Sequence, residues 1–197
     1  MTIHFSKMMF TEFQPLGTQI RQSADINVLS DILAPEVNLA VWQRRLDAEL
    51  LWCAAQLAAR PAFALQRQTH LADLPALLQY AVPVMPGSGA LCHDIVLQAQ
   101  MLACLMDTEH LGVRLKALHS AMCPRFHTDH VALRMLVTYA GPATEWRAGP
   151  DSGDLTGALR VGDSALLKGS AWPAATAVWH RSPPGMAARL LLTLDPL

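Results

Sequence analysis

The spacing of apolar residues differs between the two halves of the chain. In the first half, residues 46–60 are rich in alanine and leucine and end before Pro61, and residues 89–107 repeat apolar side chains at helical intervals, so both segments are predicted to be helices. A shorter helix is predicted over 25–33, where Asp25 can cap the first turn. Residues 37–42 instead alternate and carry β-branched side chains, which predicts a strand within this mainly helical region.

The second half shows the two-residue alternation of β-strands, interrupted by turns that contain glycine and proline. The segments with this pattern are 113–122, 130–140, 163–169, 176–180 and 189–195. Many short strands with such breaks are typical of a sandwich or a barrel. We therefore predict an α+β protein that forms one compact unit. Residues 1–112 would be its mainly helical part and 113–197 its barrel, which strand 37–42 would join.

Composition supports a globular core and argues against two classes of partner. Hydrophobic residues make up 52% of the 197 residues, charged residues make up 16%, and the formal net charge is −1. Without a concentrated basic surface, neither nucleic acid nor an anionic membrane is an expected partner. The apolar stretch 95–106 is too short to cross a bilayer, and the N-terminus lacks the pattern of a secretion signal. The four cysteines show no CxxC spacing, so we expect a cytoplasmic protein with at least three buried, reduced cysteines.

Groups that bind metals are concentrated in residues 123–130, CPRFHTDH, directly before an alternating apolar run. On a regular strand, His127 and Asp129 would project to one face together with apolar residues and Tyr139. A histidine and a carboxylate at the mouth of an apolar interior need a partner, and a divalent metal supplies one. His180 is the candidate third ligand. Two histidines and one carboxylate form the facial triad of non-haem Fe(II) oxygenases.

Three neighbouring residues are further candidates. Cys123 has the same strand parity as His127, and a thiolate ligand would favour zinc over iron. Arg125 shares that parity and could bind an anionic substrate. His130 would face the opposite side of the strand, in a supporting or surface role.

The order of these residues resembles that of the Fe(II)/2-oxoglutarate-dependent dioxygenases. The motif H-x-D opens a predicted strand, His180 follows after the 50 residues 130–179, and Arg189 comes nine positions later. The resemblance implies a double-stranded β-helix, which is a jelly-roll or cupin-like barrel, with Fe(II) and 2-oxoglutarate as cofactors. It also implies that Arg189 pairs with the far carboxylate of 2-oxoglutarate, although a structural salt bridge is the alternative.

The chain departs from this pattern at one position. Many such dioxygenases carry Arg-x-Ser, whose serine gives a second hydrogen bond to the cosubstrate, but Leu191 stands there and cannot make that bond. Tyr139 and Thr138 are candidate replacements.

A second resemblance extends over almost the whole chain. It rests on five blocks that occur in order: VNLAVWQRRL, CPRFHTDHVALRMLVTYAGPATEW, ALLKG, HRSPP and RLLLTLD. These blocks resemble the bacterial family called domain of unknown function 1826, whose genes often lie beside those of zinc homeostasis. The resemblance implies a connection with metals and, as a partner, a zinc metallochaperone-like GTPase.

Two functional hypotheses follow. One is an Fe(II)/2-oxoglutarate-dependent oxygenase that acts on an unknown small molecule or protein. The other is a non-catalytic zinc-binding protein in zinc homeostasis, which would add Cys123 to the ligands. A barrel used only as a binding module is a more distant third. Residues 141–162 hold five glycines and two prolines and are predicted to be a mobile surface loop. Trp146 at its start would either cover the site or anchor the loop to the barrel.

Overall fold

Two β-sheets, with helices on the outer side of the larger one, form the fold of the computed structural model. It describes residues 19–149, 156–173 and 177–197. The strands are β1 (Gln19–Ser23), β2 (Val37–Trp42), β3 (Ala64–His70), β4 (His110–Leu118), β5 (Leu133–Ala140), β6 (Glu145–Arg147), β7 (Thr156–Ala158), β8 (Ser164–Lys168), β9 (Trp179–Arg181) and β10 (Arg189–Pro196). The helices are α1 (Ala48–Ala58), α2 (Leu74–Ala81) and α3 (Ser88–Met106), with 3₁₀ helices at Ile26–Leu33 and Leu71–Asp73.

Local sequence signals account for the helix starts. Asp25 accepts a hydrogen bond from the backbone N–H of Asn27 at 3.0 Å, so its predicted role as a cap is confirmed. Asp47 caps α1 in the same way through the N–H of Leu50 at 2.8 Å. Each cap satisfies an N–H that the first helical turn leaves without a partner.

The larger sheet has seven strands in the order β1-β2-β8-β5-β10-β4-β3. β1 runs parallel to β2, and the other neighbouring strands are antiparallel. Successive side chains point to opposite faces of a strand. The main core, on the face that packs against α1 and α3, takes alternate leucines of β10: Leu190, Leu192 and Leu194. We call this the helical face and the opposite one the site face.

The smaller sheet, in the order β7-β6-β9, packs on part of the site face. A second apolar cluster joins the two sheets: Leu39, Val41, Leu136, Ala165 and Leu167 from the large sheet, with Trp146, Leu159 and Val178. The large-sheet members come from β2, β8 and β5. The small sheet is therefore anchored over that half of the site face.

A buried polar network ties α3 to the large sheet on the helical face. Arg44 forms an ion pair with Asp94, in which its Nη2 donates to Oδ2 at 2.8 Å. The Tyr139 hydroxyl donates to the same Oδ2 at 2.6 Å. Burial, reinforced by the Asp94 carboxylate, raises the pKa of Tyr139 well above 10.

Among the described helices, α3 alone is long and apolar enough to cross a membrane by length and composition. This differs from the expectation based on residues 95–106, because the helix extends back to Ser88. Its buried side packs against α1, α2 and β10 and includes the charged Asp94. Such packing is typical of a core helix.

The predicted α+β class is confirmed, whereas a closed jelly-roll barrel is not. Among the described strands, β1 and β3 lie at the two edges of the large sheet and each has one neighbour, so the sheets form layers. β2, the predicted strand 37–42, pairs with β8 and thereby joins the large sheet. The sequence patterns missed β1, β3 and α2, whose short segments are polar or lack a clear period.

The prediction that residues 141–162 form an irregular loop was wrong for part of this segment. It contains β6 and β7, while residues 150–155 lie outside the described part. Trp146 is 6% exposed and belongs to the second apolar cluster, so it anchors this segment to the large sheet.

Candidate metal centre

His127 and His180 are brought together by their own backbones. The N–H of His127 donates to the carbonyl of His180 at 3.0 Å, and the N–H of His180 donates back at 2.9 Å. This isolated antiparallel bridge attaches the 123–129 segment to β9. The two imidazole rings lie on the same side of it, with centroids 4.6 Å apart.

An aromatic stack holds the same segment against the small sheet. The Phe126 ring lies between the guanidinium groups of Arg147 and Arg181, each 4.5 Å from its centroid. Arg181 also donates to the Glu145 carboxylate at 2.6 Å. Cations over aromatic faces are attracted by the ring quadrupole, so this stack fixes the residue next to His127.

Asp129 is positioned by the end of β8. The N–H of Ser170 donates to the Asp129 carbonyl at 2.9 Å, and the N–H of Gly169 donates to the Ala132 carbonyl at 3.0 Å. A Cβ on Gly169 would lie 2.2 Å from the Val131 carbonyl oxygen and 2.6 Å from that of Asp129. The absence of a side chain at 169 therefore permits this close approach.

The three predicted ligands converge. One ligand atom from each of His127, Asp129 and His180 lies within 4.8 Å of the others. His180 Nε2 is 3.2 Å from Asp129 Oδ2, and His127 Nε2 is 3.8 Å from Oδ1. His127 Nδ1 lies 3.1 Å from the Arg125 carbonyl oxygen, which accepts only from a protonated nitrogen. That contact leaves the Nε2 lone pair of His127 directed towards the group, while the role of all three as ligands stays a prediction.

Arg134 forms an ion pair with Asp129. Its Nη1 lies 2.8 Å from Asp129 Oδ2, while its Nε and Nη2 donate to Asp195 at 2.6 and 2.7 Å. Burial alone would raise the pKa of Asp129. The His180 hydrogen bond and the charges of His180, Arg134 and His127 outweigh burial and lower that pKa from 3.8 to about 2. The carboxylate is therefore ionised at neutral pH, as a metal ligand must be.

These side chains line a cavity of about 180 Å³. Its wall also includes Cys123, Thr144, Leu191 and Thr193, and the three arginines Arg114, Arg134 and Arg181. Cys123 is half-buried, but its sulfur is not among the ligand atoms that lie within 4.8 Å of one another. The four-ligand zinc site that would include this thiolate is therefore not supported.

Arg189 is a buried cation without an anionic partner in the described part of the chain. It is 3% exposed, and its Nη2 donates to Thr144 Oγ1 at 3.3 Å. Its Nε and Nη1 have no hydrogen-bond partner, and burial lowers its pKa. Arg189 lies on the same face of β10 as Leu191 and Thr193, both of which line the cavity. A buried guanidinium without an anionic partner is energetically costly.

Tyr139 is not at the site, and the prediction that placed it there was wrong. Its ring is fully buried on the helical face, where it bonds to Asp94. The parity argument failed because 128–132 is irregular and β5 begins only at Leu133. Thr138 instead lies opposite Leu191, and its buried hydroxyl has no partner.

The other candidates lie at the edge of the site. Arg125 is exposed and contributes its carbonyl group to His127. His130 is also exposed, with Nδ1 3.1 Å from Ser170 Oγ. The sequence reasoning missed Arg114, Arg134 and Thr144. The alternation in 113–118 and 130–140 could have revealed Arg114 and Arg134 as charged residues of apolar strands, but Thr144 carries no such signal.

Comparisons with known proteins give one family and a set of structures. A family model described as "Protein of unknown function (DUF1826)" matches residues 23–195. No match was found among curated proteins.

The solved structures that resemble this fold include AtDAO1 from Arabidopsis thaliana, a dioxygenase for auxin oxidation in complex with 2-oxoglutarate. It has a TM-score of 0.54 and 12% identity over 90% of this chain and 91% of that one. The rice dioxygenase for auxin oxidation has a TM-score of 0.52 and 13% identity, over 86% of this chain and 76% of that one. A Pseudomonas putida prolyl-4-hydroxylase has a TM-score of 0.51 and 11% identity, over 86% of this chain and 96% of that one. At such identities the likeness shows a shared fold.

Proposed function

The chain belongs to the DUF1826 family, and we propose that it is a non-haem Fe(II)/2-oxoglutarate-dependent oxygenase. The observation that carries the proposal is the pairing of two features in one place. A His-Asp-His group lines a cavity whose wall includes Thr144, and Thr144 accepts a hydrogen bond from a buried arginine, Arg189, that lacks a counter-ion among the described residues. Folds alone do not specify chemistry, so the proposal rests on these side chains.

The donor set fits a non-haem iron. His127 and His180 offer imidazole nitrogens and Asp129 offers a carboxylate, which is the two-histidine, one-carboxylate set of Fe(II) oxygenases. Asp129 Oδ2 is buried, with Arg134 Nη1 at 2.8 Å and His180 Nε2 at 3.2 Å. Bound to these residues, Fe(II) would supply the redox chemistry that joins dioxygen and 2-oxoglutarate to the oxidation of a substrate.

The second feature fits a dicarboxylic cosubstrate. Arg189 Nε and Nη1 have N–H groups without a partner, and Nη2 has a second N–H besides the one that bonds to Thr144, so a carboxylate can be held by two parallel hydrogen bonds that include Nη2. The unpaired hydroxyls of Thr138 and Thr193 lie on the same face of the sheet. Leu191 adds an apolar wall between them. We infer that Arg189 binds the far carboxylate of 2-oxoglutarate, that one of these threonines replaces the missing serine, and that Leu191 packs on the methylene carbons.

Residues around the triad have supporting roles in this proposal. Arg134 contacts the Asp129 carboxylate and is itself held in place by its paired bonds to Asp195. The hydrogen bond from His127 Nδ1 to the Arg125 carbonyl fixes the ring so that Nε2 is free for the metal.

The test is anaerobic purification, followed by addition of Fe(II) and 2-oxoglutarate. We expect a charge-transfer absorption band in the visible range and, in air, formation of succinate. Arg189→Ala should weaken 2-oxoglutarate binding by about 100-fold, because it removes charge-assisted hydrogen bonds in a buried site. Arg160→Ala is the matched control, since the Arg160 side chain is 63% exposed and, among the described residues, forms its ion pair with Asp163.

Two results would contradict the proposal. One is a protein that takes up Fe(II) but gives neither the band nor succinate. The other is equal loss of 2-oxoglutarate binding in the Arg189→Ala and Arg160→Ala variants.

A further inference from the structure

We infer that the substrate of the proposed oxygenase is an anion whose carboxylate or phosphate group is bound by Arg114. This inference rests on the proposed function and names the substrate class of the same site. Arg114 lies on β4, directly opposite Thr193 of β10, and lines the cavity. Arg189 is four residues before Thr193, which corresponds to about 13 Å along a strand. The two arginines thus occupy different ends of the site.

Arg114 differs from the other arginines of the cavity wall. Arg134 is paired with Asp129 and Asp195, and Arg181 is paired with Glu145. Within the described ranges, no carboxylate lies within 4 Å of Arg114, although its side chain is half-buried. A partly buried, unpaired guanidinium next to a reaction centre is a natural receptor for an anion.

The charge balance supports this assignment. The arginines of the wall, Arg189 and the carboxylates that pair with these arginines comprise four guanidinium groups and three carboxylates, namely Arg114, Arg134, Arg181, Arg189, Asp129, Glu145 and Asp195. Four positive and three negative charges leave a net charge of +1. Fe(II) and dianionic 2-oxoglutarate cancel each other, so the loaded site keeps this positive charge. A negatively charged substrate would reduce this positive charge.

A groove beyond Arg114 offers room for the rest of the substrate. It has a volume of about 400 Å³, compared with about 180 Å³ for the metal cavity, and Arg114 lines both. Gln66 lies opposite Arg114, and Gln68 lies opposite Gly112, which has no side chain to fill the groove. The glutamine amides can donate and accept hydrogen bonds, so the bound molecule is expected to carry polar groups besides its anion.

Lys116 adds to the positive potential on this face. It is two residues after Arg114 on β4 and lies opposite Leu191, so it points to the site face. In the described part of the chain it has no carboxylate within 4 Å. An anion that approaches across β3 and β4 is therefore attracted before it reaches Arg114.

The test uses the protein loaded with Mn(II) and saturated with 2-oxoglutarate, because Mn(II) is paramagnetic and does not turn over. The probes are inorganic phosphate, followed by ³¹P relaxation, and acetate, followed by ¹³C relaxation. Either should show saturable relaxation enhancement near the metal, and the probe that binds more tightly distinguishes a phosphate from a carboxylate substrate. We expect Arg114→Gln to weaken binding of the tighter-binding probe by about tenfold, and Arg114→Lys to weaken that binding less.

Arg60→Gln is the control, because Arg60 is exposed at the end of α1, and it should leave probe binding unchanged. The inference is overturned if neither probe shows saturable enhancement, or if Arg114→Gln binds the probes as well as the wild type. It is also overturned if Arg114→Gln lowers the affinity for 2-oxoglutarate itself, since Arg114 would then belong to the cosubstrate site. Failure of the proposed function would look different, because 2-oxoglutarate would not bind to the metal-loaded wild type.

Discussion

His127 and His180 each donate a backbone N–H to the other's carbonyl oxygen, at 3.0 and 2.9 Å. The main chain therefore sets the separation of the two rings, and the side chains themselves are not needed to hold the segments together. Metal binding can consequently be removed without removing the fold.

Replacement of either histidine by alanine should weaken Fe(II) binding by at least about 100-fold, since a direct ligand matters more than the outer partners of ligands. Metal content after dialysis and an anaerobic titration measure this change. In the presence of a chelator, the melting temperatures of the His127→Ala and His180→Ala variants should stay close to that of the wild type. His130→Ala is the control, because His130 is exposed and contacts Ser170. A comparable loss of metal in that variant would place the site elsewhere.

Cys123→Ser should leave metal affinity within about threefold of the wild type, because the sulfur lies outside the group of converging ligand atoms. Co(II)-loaded protein provides a second measurement, since a thiolate ligand would produce an intense charge-transfer band. Such a band in the wild type, lost in Cys123→Ser, would show that the cysteine coordinates the metal.

Tyr139→Phe should lower the free energy of unfolding by about 1–3 kcal/mol at pH 7, because it removes the buried hydrogen bond to Asp94. The difference should shrink above pH 10. The pKa of Tyr139 is raised in the folded state, so the unfolded chain loses that proton first and the stabilisation declines as the pH rises. The decline is at most about 1.4 kcal/mol per pH unit.

Urea unfolding at pH 8, 10 and 11 measures this dependence. The matched control is Tyr80→Phe, since Tyr80 is the other tyrosine of the chain and is 93% exposed. A constant difference between wild type and Tyr139→Phe over this range would show that Tyr139 ionises as easily in the folded protein as in the unfolded one.

Gly169→Ala should destabilise the protein by about 1–3 kcal/mol, because the new methyl group would meet the Asp129 and Val131 carbonyl oxygens. The shift of Asp129 should also weaken metal binding by about tenfold or more. Gly89→Ala in α3 is the control, as its methyl group would meet no atom within 4 Å, and it should stabilise the helix by up to about 1 kcal/mol. Thermal unfolding and metal titration distinguish the two variants.

The sequence predicted the parts of the fold that depend on local periodicity. α1, α3, β2 and β10 were found close to their expected bounds, because their apolar residues repeat regularly and their ends carry caps or prolines. β3 was missed because its residues, ALQRQTH, are mostly polar on an edge strand whose pairing with β4 is distant in sequence. The strand conformation of β3 therefore depends on its tertiary pairing with β4.

The candidate site likewise was predictable where it depends on residue spacing and not where it depends on tertiary pairing. The spacing of His127, Asp129, His180 and Arg189 indicated which residues would meet, and the structure places the first three together. The spacing could not indicate which residues of β5 point to the site face. The irregular residues between Asp129 and Leu133 change which alternate positions share a face with Asp129. Tyr139 was therefore placed on the wrong side of the sheet. Arg114 lies near the site through strand pairing, which leaves no trace in a short motif.

Arg134 joins two carboxylates that are 66 positions apart in the chain, Asp129 on the metal side and Asp195 at the end of β10. The residue found at position 134 should therefore depend on the residue found at position 195. Among related chains, we expect a guanidinium at 134 and an acid at 195 to be retained together or replaced together, and random mutagenesis should recover second-site suppressors at this pair. A defect in metal uptake can thus arise from a residue that never touches the metal.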